Sequence, residues 1–570
     1  MAELTEARKE STPALQTAPR PTDRYSYPPV LSKTRALPVN GLTEAPALPH
    51  TGCPVPSTST PKGIQARISD YAIKKSATIE RFGQIFPGAA TWLIISVLFW
   101  GPLILPWPVA LAVVIFDLYW FGRSLSSAHY AIKGFNKLKE TKAINWRAEY
   151  EKALDDGRVD MRWEDVHHIV VIPNLNERIE KLRLTLQHLA DQEDVAQQIT
   201  VVLAMEAKEA DATEKSRMLL EEFRGNFAHI FATLHPDRIP GEVAGKSPNE
   251  AWAVRWAKRR LVDELGYDIA NITISSCDAD SLFHPRYFSA LTYHFSTDPN
   301  RYRRFWQAPI FLYNNIWEVP MPIRVISALS TVNFLADLCK PQGLAFPQST
   351  YTLSLQMCDE VDYWDVDVIP EDWHMFLKCF FHLNGEVNTV PIFLPVGADA
   401  VHAETYKRSL ISRYKQAKRH AWGAEDIAYA SREFLLHPEI PLFKRSQRVW
   451  ALVENHLLWS THWFLLTLGG FLPALLALPL QDFGPGIGLP QVVSFILTVC
   501  LAPGVVVVAI DNSLRPAPPN TMSKSFVALT HAQWFLLPVI SALFASLPAL
   551  HAQTQLMLGK PLAYEVTEKV

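Results

Sequence analysis

The chain has 570 residues, room for more than one domain, and a formal net charge of −3, which excludes a nucleic-acid binder held by bulk basicity. Its hydrophobic content of 48% is ordinary for a globular protein, so the information lies in how unevenly those residues are spread. The six cysteines (Cys53, Cys277, Cys339, Cys358, Cys379, Cys500) form no Cys-x-x-Cys pair, which argues against a zinc site or disulfide framework and fits a reducing compartment.

Residues 1–64 are rich in Pro, Ser, Thr and Ala and poor in large apolar side chains. Such a composition cannot bury a core and predicts a disordered tail. The opening Met-Ala-Glu-Leu-Thr-Glu-Ala-Arg-Lys-Glu is charged with no apolar run behind it, so no cleavable signal peptide is expected. Residues 65–123 read as an interfacial segment and a membrane hairpin. No residue from Gly83 to Phe116 is charged, and Pro102, Pro106 and Pro108 interrupt the run. One span needs about 20 apolar residues, and proline marks a helix break. Two spans follow, near 86–104 and 107–123, joined at Leu105-Pro106; one long bent helix is the alternative. Lys74, Lys75 and Arg81 precede the hairpin, and Arg123, Lys133, Lys137 and Lys139 follow it, which places both ends in the cytosol.

Residues 124–440 alternate strand-like and helix-like runs. Strands are expected at 167–173, 198–204, 228–234 and 271–277. Helices are expected at 177–189, 212–224 and from Ser247 to Leu265, with Pro248 in a first turn that tolerates it. This pattern predicts a mostly parallel sheet covered on both faces. The segment 316–336 is apolar but broken by Pro320 and Pro322, and it carries Glu318 and Arg324. It reads equally as a helix along the membrane surface or as a buried core helix. Apolar stretches at 455–480, 489–510 and 527–550 predict three spans within 441–551, followed by a tail at 552–570. The link 481–488 carries Asp482 and no basic residue, whereas 511–526 carries Arg515 and Lys524 beside Asp511. With a cytosolic domain, the first link lies outside, the second inside, and the tail on the non-cytosolic side.

The 271–277 strand runs into Asp278-Ala279-Asp280. Two carboxylates one residue apart share a face of an extended segment, and in open α/β sheets ligands bind at strand ends. Two hard anionic oxygens there suit Mg²⁺ or Mn²⁺ carrying a substrate diphosphate. Asp365-Val366-Asp367 has the same spacing, so the pair gains its meaning from its neighbours.

Those neighbours, in order, resemble the membrane-embedded glycosyltransferase family 2 enzymes of GT-A fold, which include the cellulose, chitin and hyaluronan synthases. Val170-Val-Ile-Pro173-Asn-Leu-Asn176-Glu177 is similar to the family's opening strand and loop, which implies that Pro173, Asn176 and Glu177 border the nucleotide. An ordinary turn with Asn176 as a helix cap is the structural alternative. Glu206 stands where the family has a base-recognising aspartate. A carboxylate accepts N–H groups of uracil or guanine alike, so the base stays open. Gly245-Lys246 resembles the family's turn before a helix, a place for a diphosphate, without P-loop spacing. The resemblance makes Asp278 and Asp280 the metal pair, with Asp280 the direct ligand and Asp278 on ribose or metal. Pro370-Glu371-Asp372-Trp373 resembles the Glu-Asp motif, which implies Asp372 as the base with Glu371 beside it. Trp373 and Met375 offer an apolar wall that would raise its pKa.

Gln416-Ala-Lys-Arg419-His420 is similar to the synthases' Gln-x-x-Arg-Trp, with Trp422 displaced two residues beyond the expected position. Gln416 and Arg419 share a helix face, and Arg419 would hold the diphosphate bidentately. Acceptor contacts are implied for His420, Trp422 and Trp373; histidine in the tryptophan's place puts processive polymerisation in question. Lys407, Arg408, Arg413, Lys415 and Lys418 suit an interface with anionic lipid. The resemblance therefore implies a cytosolic α/β GT-A (Rossmann-like) domain on α-helical transmembrane spans. It further implies inverting transfer from a UDP- or GDP-sugar to a polysaccharide or lipid-linked acceptor, with Mg²⁺ or Mn²⁺, membrane lipid and no nucleic acid. A single-addition glycolipid enzyme and an inactive membrane scaffold are the alternatives; against the scaffold, all four carboxylates are kept. The spans hold few charges to line an ion path, which opposes a transporter.

Overall fold

The computed structural model describes residues 71–341, 345–484 and 486–562; the tail expected over 1–64, with Cys53, and the end of the 552–570 segment lie outside the described residues. Two long helices follow a helical stretch at 71–74: α1 (Ser76–Ile104) and α2 (Pro106–Lys142). The break falls at Leu105 (φ −134°, ψ 62°), with Pro106 opening α2, where its missing N–H costs no helix bond. Gly101 lets the two helices close on each other: a Cβ there would lie 2.8 Å from Val109 Cγ2. Both helices outrun their expected bounds. At 37 residues α2 spans about 55 Å, more than the about 30 Å of a hydrocarbon core.

Among the described residues ten strands make two sheets: β1 (His167–Asn174), β2 (Ile199–Glu206), β3 (His229–His235), β4 (Ile272–Ser276), β5 (Leu282–Phe283), β6 (Arg304–Gln307), β7 (Ile310–Phe311), β8 (Tyr351–Ser354), β9 (Asn388–Pro391) and β10 (Val396–Gly397). The large sheet has the order β3-β2-β1-β4-β8-β6-β9 and the small one β5-β10-β7. β1, β2, β3 and β4 run parallel, and β8 pairs antiparallel with both β4 and β6. Every residue of β2 is buried, as a strand with both faces covered requires. Val170 and Ile172 enter one core with Val201 and Leu203; Ile169 and Val171 enter the other with Val202 and Ala204. That alternation is the two-residue period of a pleated strand. The expected mostly parallel, doubly covered sheet is the one found.

The helices that position the site are α3 (Lys246–Lys258), which continues through one wider turn to Glu264, then α4 (Met321–Asp337), α5 (Glu371–His382), α6 (Tyr406–Ala421) and α7 (Asp426–Leu436). α4 covers most of the 316–336 stretch, and most of its residues are buried, against helices on the membrane-length side of the fold. Val332 and Ala336 pack with Ala131 of α2 and with Val507 and Ile510, and Ser127 donates to Asn333 at 3.0 Å. A Cβ on Gly134 of α2 would lie 2.8 Å from Leu335 Cγ, so glycine sets this close approach.

Next comes α8 (Leu442–Leu468). The single span expected over 455–480 is not one helix. α8 begins among Lys444, Arg445 and Arg448 and ends before Gly469-Gly470, and the apolar run resumes only as the short helix Leu472–Leu476. Glycine lowers helix propensity by about 1 kcal/mol each relative to alanine. Gly470 also admits a neighbour, since a Cβ there would lie 2.8 Å from Val493 Cγ1. Two further long helices follow, α9 (Leu489–Leu514) and α10 (Lys524–Met557). Among the described residues, α1, α2, α9 and α10 are the four helices long and apolar enough to cross a membrane.

Candidate functional site

β1, β2 and β4 run parallel, so their carboxyl ends open on one edge of the sheet, which is where open α/β sheets bind ligands. A cavity of about 490 Å³ lies there. Its walls carry Pro173, Glu177, Glu206, Lys246, Asp278, Asp280, Glu371, Asp372, Trp373, Gln416, Arg419 and His420, from segments spread over nearly 250 residues. Two expected residues stand elsewhere. Asn176 sits in a left-handed turn (φ 60°) off the wall, and Asn174 lines the cavity in its stead. Trp422 is buried, its indole N–H donating to Glu425 at 2.8 Å, and it is not on the wall.

Lys246 opens α3 and ties the acids together. Its Nζ lies 3.0 Å from Asp278 Oδ1, 2.8 Å from Glu371 Oε1 and 3.6 Å from Glu250 Oε1, and it donates to the Ser349 carbonyl at 3.0 Å. Burial opposes its charge, but Asp278, Glu250 and Glu371 outweigh it and hold the ammonium well above the usual lysine range. Glu250 is fully buried; burial pushes its carboxyl up to about 8 against the pull of Lys246, and Ser276 Oγ donates to it at 2.5 Å.

Asp372 stands at the start of α5. Its Oδ2 accepts the Ser349 N–H at 3.1 Å and its Oδ1 accepts the Trp373 N–H at 2.8 Å. Burial, reinforced by neighbouring Glu371, pushes its pKa up to about 7. Trp373 supplies the apolar wall and stacks on Phe346 with ring centroids 4.5 Å apart. Met375 turns into the core instead.

Asp280 is buried, and its Oδ2 accepts the Asp399 N–H at 2.8 Å. The small sheet fixes that contact by pairing Gly397 with Leu282. Asp399 in turn meets Lys181 at 3.2 Å. Ser349 Oγ donates to Asp278 Oδ2. Asp278 and Asp280 offer the hard oxygens that a Mg²⁺ or Mn²⁺ ion takes. Among the described residues no group of three or more His, Cys, Asp or Glu side chains encloses a metal, so a bound ion would draw further oxygens from a ligand or water. The surplus of acid on the wall fits a cation: Glu177, Glu206, Asp278, Asp280, Glu371, Asp372 and Asp399 face Lys208, Lys246, Arg413 and Arg419.

At the far end of β2, Glu206 lies 3.5 Å from Lys208 and 3.4 Å from His235. Burial lowers the pKa of His235, but Glu206 and Glu242 together raise it to about 9. Arg413 donates to Gln416 Oε1 at 3.0 Å, which orients the Gln416 amide.

Residues 274–510 match the glycosyl transferase family group 2. That segment is a family 2 glycosyltransferase domain, and the mixed, mostly parallel sheet with its covering helices fits a GT-A fold. The match begins within β4 and takes in the Asp278–Asp280 pair, Asp372 and α6. No curated protein matches the chain. Among solved structures it is similar to the mannosyltransferase PcManGT of Pyrobaculum calidifontis, in complex with GDP-Man and Mn²⁺, at 13% identity and a TM-score of 0.35, over 77% of this chain and 98% of that one. It is also similar to S. aureus TarS 1–349 in complex with UDP, at 10% identity and a TM-score of 0.31, over 61% of this chain and 91% of that one.

Several wall residues of this glycosyltransferase carry no sequence signature. Ser349 adopts a left-handed conformation (φ 57°) in a loop, and Asp399 is a lone loop carboxylate. His456 and Trp459 reach the wall from α8. Glu250 was findable, because it stands one helical turn after Lys246.

The helix bearing Asp372 is anchored by His374, whose Nδ1 lies 2.7 Å from Asp426 and Nε2 2.9 Å from Asp365. Burial disfavours its charge, but Asp426 and Asp365 raise its pKa to about 10. A folded-state pKa raised above the usual value gives stability that is full below about 6.5 and lost as pH rises through about 10. His374→Ala leaves two acids without their cation, although Lys378 still reaches Asp365 at 2.6 Å. The expected cost is about 3 kcal/mol at neutral pH, read as a lower melting midpoint in detergent that converges on wild type above pH 10.

Proposed function

We propose that this glycosyltransferase is a membrane-bound inverting enzyme. It moves a sugar from a UDP- or GDP-sugar to a polysaccharide or lipid-linked acceptor. What supports the reading is the convergence in one cavity of Lys246, Asp278, Asp280, Glu371, Asp372, Gln416 and Arg419. Asp372 takes the proton from the acceptor hydroxyl as that oxygen attacks the face of the sugar opposite the leaving diphosphate; one base suffices for inversion. Lys246, Gln416 and Arg419 bind the nucleoside diphosphate as negative charge grows on it. Glu206 and the loop at Pro173, Asn174 and Glu177 receive the base. Asp278 and Asp280 would hold Mg²⁺ or Mn²⁺, which when bound neutralises the leaving diphosphate.

In the membrane, α1 and α2 form a hairpin with both ends cytosolic, and the positive-inside bias of 511–526 keeps the catalytic domain on that same side. Trp373 and Trp459 line the cavity, so an aromatic surface for a glycan exists without Trp422. A single-addition glycolipid enzyme is the second reading, favoured by His420 on the wall. The test uses protein in lipid with Mg²⁺ or Mn²⁺ and a panel of UDP- and GDP-sugars, with nucleoside diphosphate release as the signal. Release is expected with one preferred donor, and chelation or Asp280→Asn is expected to lower it by at least about 100-fold. Product length separates the polymerase from the single-addition enzyme. A folded sample with lipid extract that releases nothing from any donor points to the inactive scaffold.

A further inference from the structure

A second cavity, of about 540 Å³, lies between the start of α4, the loop before α6 and the start of α10. Its floor holds a buried guanidinium. Arg324 Nε donates to the Ile316 carbonyl at 3.0 Å and Nη2 to the Val319 carbonyl at 3.1 Å. Its charge lies 5.6 Å from the Trp317 ring centroid and 5.5 Å from that of Phe526. Among the described residues Arg324 has no carboxylate within salt-bridge distance. Gln533 faces the same cavity at 4% exposure, and both its Nε2 and its Oε1 lack a partner. The Nδ1 of His402, also on the wall, is buried and unpartnered. A buried amide left unpaired costs about 1–3 kcal/mol, so the cavity is built for a polar ligand group. Of its two acidic wall residues, Glu318 is exposed, and Glu404 is held by Arg408 at 2.7 Å.

The opposite wall is apolar and outward-facing. Phe526, Leu529 and Leu536 of α10 are 40%, 65% and 44% exposed. They stand at the end of a membrane-length helix beside the link 511–526, and Trp317 donates to the Pro516 carbonyl there at 3.0 Å. A cation and an unpaired amide at the base, with an apolar wall leading out along a span, match an amphiphile rather than a soluble anion.

We propose that this cavity binds a membrane lipid with an anionic phosphate headgroup. The phosphate lies against Arg324 and the Gln533 amide, and the acyl chain runs along Phe526, Leu529 and Leu536. The site rests on the membrane reading of α9 and α10, and it is separate from the catalytic cavity. The test is native mass spectrometry of the detergent-purified full chain titrated with phosphatidylglycerol, diacylglycerol or glycerol 3-phosphate. The wild type is expected to retain one phosphatidylglycerol. Gln533→Leu, Arg324→Gln and Leu529→Asp should each weaken that adduct about tenfold, the equivalent of about 1.4 kcal/mol. Leu529 is exposed, so its variant keeps the assay decisive if Arg324→Gln fails to fold. Equal retention by wild type and variants overturns the site, and so does equal retention of diacylglycerol, which shows an apolar cleft only. Competition by glycerol 3-phosphate at lipid concentration overturns the lipid assignment. Release of the protein from membranes by alkaline carbonate, without detergent, sinks the membrane reading itself.

Discussion

Asp372→Asn is expected to lower kcat by about 10²–10⁴-fold, the range of a lost general base, while donor affinity stays near wild type. The amide keeps the shape and the apolar surroundings but cannot accept the proton. The pH profile makes the test specific. Because burial and Glu371 push Asp372 up to about 7, the active, deprotonated form accumulates only above that value. The wild-type rate should rise with pH through about 7 and then level. Glu371→Gln removes the adjacent negative charge, so the limb should move to lower pH. A limb that ignores Glu371→Gln, or an Asp372→Asn enzyme with undiminished turnover, takes the base role away from Asp372.

Legibility in the sequence followed the range of the interactions. β1, β2 and β4 were readable because alternating β-formers report a pleat locally, and the parallel pairing then put their ends on one edge without further information. The Leu105 break was readable because proline acts on its own backbone. The site was legible where family motifs carry it: Lys246, Asp278, Asp280 and Asp372 do meet in one cavity. Trp422 was not readable in the same way. Its ring is placed by packing and by Glu425, and a displacement of two residues on a helix turns a side chain by about 200°. Asn176 and Asn174 exchanged places for a similar reason, a single left-handed residue redirecting a loop. Ser349 and Asp399 come from segments with no local pattern, and His456 from a stretch whose apolar pattern reports only a span; the tertiary fold brings all three to the wall. The helix break inside 455–480 was not legible, because apolar content does not report what Gly469-Gly470 does to a helix.

Lys246→Met is expected to weaken both the fold and donor binding, and to make stability depend on pH. The substitution leaves Asp278, Glu371 and Glu250 without the ammonium they share. Removing one partner of a buried ion pair costs about 3–5 kcal/mol. Part of that loss is avoidable, because Glu250 can take a proton. Its carboxyl already sits near 8 with Lys246 pulling it down, so in the variant it moves higher still. A folded-state carboxyl raised above its unfolded value binds more protons in the folded state, so stability falls as pH climbs from about 4.5 through the raised value. The variant's melting midpoint should therefore lie closest to wild type near pH 6 and furthest from it near pH 9. Glu250→Gln in the Lys246→Met background carries its own N–H and no charge, and it should recover most of the loss at pH 9 and little at pH 6. A deficit that is the same at both pH values, or a double variant no more stable than the single one, means the ammonium is not what holds these acids together. Donor affinity separates the two roles: the double variant regains stability but not affinity, because the cation facing the diphosphate is still missing.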